Sequence, residues 1–175
     1  MSKTQLKRMM AEMTAEQISE MVLELYAARP EAKEYLDFFV SPDIDKRLDK
    51  ARSAIRKELG RHSRGRNKSR STKVRRYIKD ISSLNPGSEA VAEIMTSAIE
   101  AICEVGSDQW IKAATQAGYG RLLHDTVVYI DAAGLLGDYL PRLERAVGGM
   151  GSSPVYVRDF RRVLSDELKD SLESL

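Results

Sequence analysis

An all-α fold is what this sequence predicts, and three observations carry the prediction. Apolar residues recur at helical spacing through nearly every segment, as in Ile44, Leu48, Ala51, Ile55 and Leu59. Helix-start signals stand where such stripes begin, for example Thr14 followed three residues later by Gln17, and Pro30. No run alternates at period two between turn residues, so no strand is expected. The reading is a single helical domain over 1–175 with about eight helices and a basic, mobile loop at 60–71. Short connections favour antiparallel hairpins in an irregular bundle or a short solenoid.

The elements follow in order. Thr14 and Gln17 have capping-box spacing, and Ile18, Met21, Val22 and Leu25 then share one face. Pro30 opens "PEAKEYLDFFV", where a proline at the first helical position loses no hydrogen bond. Ser41-Pro42 repeats that signal, and the Ile44–Leu59 stripe stops at Gly60. Ser71 is placed to cap a helix buried along Val74, Tyr77, Ile78, Ile81 and Leu84, which "NPGS" breaks. From about Ser88 to Val105 the apolar face is Val91, Ile94, Met95, Ala98 and Ile102, with Gly106 expected to end the helix and Asp108 to cap the next.

"DQWIKAATQAGYGRLLHDTVVYIDAAG" presents two faces: Trp110, Ala113, Ala114 and Ala117 on one, Leu122, Leu123, Val127 and Ile130 nearly opposite. Either the helix breaks at Gly118 and Gly120 or it is central and buried on both sides. The break is the expectation, since each interior glycine costs about 1 kcal/mol against alanine. Beyond it, Pro141 fits the first turn of a helix capped by Asp138. Ser153-Pro154 then starts a last helix buried along Tyr156, Phe160, Val163, Leu164 and Leu168.

Composition bounds the class. At 42% apolar and 31% charged, 175 residues suffice for a packed core without disulfides or metals. The single Cys103 excludes an intramolecular disulfide and points to a reducing compartment or an indifferent one. No run approaches the roughly 18 apolar residues of a spanning helix. The first residues lack the apolar core of a signal peptide, so a cytoplasmic location is expected.

"EAKEYLDFFVSP" at 31–42, "VRRYIKDISSLNP" at 74–86 and "GLLGDYLPRLERAV" at 134–147, with the opening "SKTQLKRMMAEMTAEQISEMVLELY", resemble an uncharacterised family of small helical bacterial proteins, a domain of unknown function. The resemblance spans most of the chain and rests on apolar, structural motifs. It implies a helical bacterial protein, with no activity or ligand to carry over.

The strongest functional signal is "RKELGRHSRGRNKSRSTKVRR". Arg56 to Arg76 holds ten basic residues and one acid, Glu58, within a chain of net charge +2. Subtracting ten from the 28 basic residues and one from the 26 acids leaves 18 against 25 elsewhere, a balance of −7. Arg61, Arg64, Arg66, Lys68 and Arg70, continuing into Lys73, Arg75 and Arg76, form a candidate surface for a polyanion such as nucleic acid, or for an acidic protein face. Aromatic interleaving is confined to Tyr77, which belongs to a core stripe, so no single-strand stacking platform is expected. A second reading is structural: Glu89, Glu93, Glu100 and Glu104 make an acidic helix face that the basic segment could neutralise within one molecule or between two.

Catalytic chemistry has few carriers. His62 lies in the basic loop; His124-Asp125 is the only His-Asp pair and supports at most a hydrolase reading. One cysteine and two histidines give no zinc spacing, and "GGMGSSP" lacks the lysine of a phosphate-binding loop. No catalytic residue, metal ligand or cofactor is assigned from the sequence.

Overall fold

The computed structural model describes residues 2–60 and 70–175. Arg61, His62, Arg64, Arg66 and Lys68 therefore lie outside the described residues. Among those described there are nine α-helices and no strand. They fall into two compact units, one ending at Asp43 and the other running from Ile44 to Leu175.

The first unit holds α1 (Lys3–Ala11), α2 (Ala15–Ala28) and α3 (Pro30–Val40). The Thr14–Gln17 capping box forms in full: Thr14 Oγ1 accepts from the Gln17 amide at 3.2 Å, and Gln17 Oε1 accepts from the Thr14 amide at 2.9 Å. Ser2 and Gln5 make a second such box before α1. Pro30 is the first residue of α3, as its missing amide proton requires. α2 packs against α3, and Tyr26 donates to Asp37 at 2.9 Å across the pair. Phe38 is the one fully buried residue of these three helices.

The second unit is an irregular bundle of α4 (Ile44–Leu59), α5 (Ser71–Ser82), α6 (Ser88–Asp108), α7 (Ala113–Ala132), α8 (Leu136–Gly148) and α9 (Val155–Glu173). Its axis is α6, with 11 of its 21 residues buried, including Ile94, Ala98, Ile99 and Ile102. Burial over so much of the circumference follows from packing by α4, α5, α7, α8 and α9 around it. The stripes read from sequence on α4 and α5 are core: Leu48, Ala51, Ile55, Leu59, Val74, Ile78 and Ile81 are buried.

Several local expectations are corrected by packing. α7 runs unbroken through Gly118 and Gly120, against the expected break, and is buried along one broad face rather than on both sides: Leu122, Leu123, Val127 and Ile130 point inward while Arg121 and Val128 are exposed. A Cβ on Gly118 would collide with the Ser71 hydroxyl, and one on Gly120 would lie 3.1 Å from Glu167 Oε2. The glycines therefore mark close approaches of α5 and α9 to α7, and tertiary contact offsets their poor helix propensity. Gly106 likewise lies inside α6, beneath the Phe160 ring, and Asp108 is the last residue of α6. Ser71 is the first residue of α5, with Arg70 at the cap position. α8 starts at Leu136, so Pro141 sits in its interior. The Trp110–Ala113–Ala114–Ala117 face is exposed, and Ile111 and Tyr119 take the core positions instead.

Candidate functional site

The described basic candidates separate into two sets. Lys73 on α5 donates to Glu58 at 2.9 Å, anchoring a carboxylate that is itself buried at the end of α4. Arg75 forms an ion pair with Asp125 on α7. Both cations hold α5 to its neighbours. Arg70 and Arg76 are exposed and make no ion pair among the described residues, and Arg56 and Lys57 near the end of α4 and Lys79 on α5 are exposed as well. α5 turns Val74, Ile78 and Ile81 inward, which leaves Arg76 and Lys79 on its outer face.

The acidic helix face is also divided. Glu93 and Glu100 on α6 are half-buried and held by α8: Arg142 Nε and Nη2 each donate to Glu100 at 2.9 Å, and its Nη1 and Nη2 donate to Glu93 at 2.5 and 3.2 Å. From the other side, Arg52 on α4 donates to Glu93 at 2.7 Å and to Asp49 at 2.9 Å. Ser97 donates to Glu93 at 2.9 Å and completes its shell. Glu89 and Glu104 remain exposed. Burial works against the Glu93 charge, but the bonds from Arg142, Arg52 and Ser97 outweigh it and bring its carboxyl down to about 2. The Glu93 and Glu100 bonds hold Arg142 protonated above the ordinary arginine range.

Two clefts flank the Arg142–Glu100 pair. One of about 240 Å³ is lined by Arg52, Arg56, Glu93, Ser97 and Arg142. The other, a wider groove of about 500 Å³ between α6 and α8, is lined by Cys103, Glu104, Ser107, Arg145 and Met150. Burial, assisted by the Glu100 charge, pushes the Cys103 thiol up to about 12, so it sits there as an un-ionised thiol. The donors and acceptors of the network satisfy one another, so its evident work is to tie α4, α6 and α8 together. Arg52 and Arg142 went unassigned in the sequence because their partners lie 41 and 49 residues away.

His124 and Asp125 face different partners. His124 Nδ1 lies 3.0 Å from Ser171 Oγ, while the Ser171 hydroxyl donates to the Glu167 carbonyl at 2.6 Å. Asp125 is held by Arg75. The two side chains therefore do not converge on a common ligand position. Among the described residues there is no group of three or more His, Cys, Asp or Glu side chains placed to hold a metal ion, and no helix long and apolar enough to cross a membrane.

These features define an all-helical protein whose polar clusters are engaged in helix–helix packing. A family model described as a family of unknown function (DUF6155) matches residues 1–167, and the chain belongs to that family. No curated protein and no solved structure matches it.

Proposed function

We propose that this is a non-enzymatic, cytoplasmic interaction protein that binds a phosphate-bearing polyanion, nucleic acid above all, through the basic segment from Arg61 to Arg76. The supporting observation is the inventory of charge left after internal pairing. Arg52 and Arg142 pair with Glu93 and Glu100. The inner half of the acidic face thus has cations of its own, while Arg70 and Arg76, like Glu89 and Glu104, stay exposed to solvent. Arginine suits phosphate because its planar fork donates two parallel hydrogen bonds. Binding is expected to be largely independent of base sequence, since contacts to phosphate position a protein without reading bases.

The test is fluorescence anisotropy with labelled duplex and single-stranded DNA and RNA across a salt series. With six to ten phosphate contacts, affinity should fall about 10³–10⁵-fold between 50 and 200 mM salt. Replacing Arg61, Arg64, Arg66, Lys68 and Arg70 with glutamine should abolish binding and leave the far-UV helical signal intact. Arg76→Gln should lower the salt slope by about one. Arg75→Gln, which breaks the Asp125 pair, should act on stability more than on affinity. Absence of binding by the wild type at low salt would reject nucleic acid and direct the search to acidic protein partners.

A further inference from the structure

The unit ending at Asp43 carries both halves of an interface that it does not close within one chain. α1 presents Leu6, Met9 and Met10, with Met13 continuing the stripe just beyond it, at the i, i+3, i+4, i+7 spacing of a packing face. Leu6 and Met9 are 38% and 41% exposed, no residue of α1 is buried, and α1 packs along neither α2 nor α3. Nine residues are too few for a helix to hold its shape on propensity and capping alone. The α2–α3 pair is equally open: Leu23 is 66% exposed, Phe39 72% and Val40 82%.

Charge identifies the occupant. α1 contains three basic residues, Lys3, Lys7 and Arg8, and no acid. α2 and α3 together contain six acids, among them Glu16, Glu20 and Glu24, against the single base Lys33. A short helix with a cationic flank and an anionic hairpin with an uncovered apolar surface are complementary, yet α1 does not pack along that hairpin within the chain. We propose that the unit ending at Asp43 is a homodimerisation module, in which α1 of each chain docks on the α2–α3 hairpin of a second copy. A two-fold arrangement satisfies both chains at once, because each supplies one helix and one hairpin. Association would also supply the core that a unit of this size lacks, as small units commonly require.

Sedimentation equilibrium of the full chain over micromolar concentrations tests this directly. The expected mass is twice the 19.6 kDa of one chain. Lys7→Glu with Arg8→Glu, or Glu20→Lys with Glu24→Lys, should each weaken the dimer about tenfold, since two-fold symmetry counts every charge pair twice. Combining the four substitutions should restore it, an outcome that general unfolding would not give. Leu6→Gln with Met9→Gln should yield monomer, with the helical signal of the remaining chain retained. A wild type that is monomeric at every concentration overturns the proposal. So does a dimer that none of these changes weakens, or a monomer that co-sediments with anionic lipid vesicles through α1.

Discussion

Arg142 on α8 forms a two-pronged pair with Glu93 on α6, through Nη1 to Oε2 and Nη2 to Oε1. The same guanidinium holds Glu100 with two further bonds, about two turns along the helix. One planar group thus locks α8 to α6 over seven residues of α6, while Arg52 ties α4 to the same Glu93 carboxylate. Lysine offers a single ammonium and does not span two carboxylates in this way.

Glu93 should make stability depend on acid. Its carboxyl titrates at about 2 in the folded chain, against an ordinary value of 4.5. A depressed folded value means that its contribution is present in full above about 5 and is lost as pH falls toward 2. Allowing for partial solvent exposure, the loss is on the order of 2 kcal/mol. Urea unfolding at pH 7, 5, 4 and 3 should show a steeper decline for the wild type than for Glu93→Gln, which is less stable at pH 7. Parallel declines would mean that other carboxylates govern acid unfolding.

Gly106 should resist replacement even by alanine. A Cβ there would stand 2.6 Å from Cδ1 of Phe160 on α9 and closer still to Cε1. Alanine gains about 1 kcal/mol of helix propensity, but overpacking a tight core costs about 1–3 kcal/mol. The expected net loss for Gly106→Ala is about 1 kcal/mol. In a Phe160→Leu background the same substitution should cost less, because the ring edge is gone. A double-mutant cycle by urea denaturation measures the coupling; additive effects would show that α6 and α9 separate freely at this contact.

Cys103 should be silent in the folded protein. It is 2% exposed, and its thiol is pushed up to about 12, first by burial and then by the Glu100 charge. At pH 8 a disulfide-exchange reagent should leave it unmodified over minutes and titrate one thiol once denaturant is added. Prompt reaction without denaturant would indicate that the α6–α8 groove opens on that timescale.

Local sequence signals dictate the helices and most of the inward faces. Capping at Thr14, the proline at the start of α3 and the Leu48–Leu59 and Val74–Ile81 stripes are local signals, and backbone hydrogen bonding within a helix obeys them directly. Belonging to a helical family was legible in the same apolar phrases. The roles of Gly106, Gly118 and Gly120 emerge from the tertiary structure alone, because a glycine that breaks a helix and one that admits a neighbouring helix are the same letter. Only that structure divided the charged residues, committing Lys73, Arg75, Glu93 and Glu100 to internal pairs and leaving Arg70, Arg76, Glu89 and Glu104 exposed. Propensity and capping act over three or four residues, and sequence pattern reads them well. Apart from Lys73–Glu58, 15 positions apart, these ion pairs and close approaches join residues more than 40 positions apart, and no periodicity in the chain encodes which of them will meet.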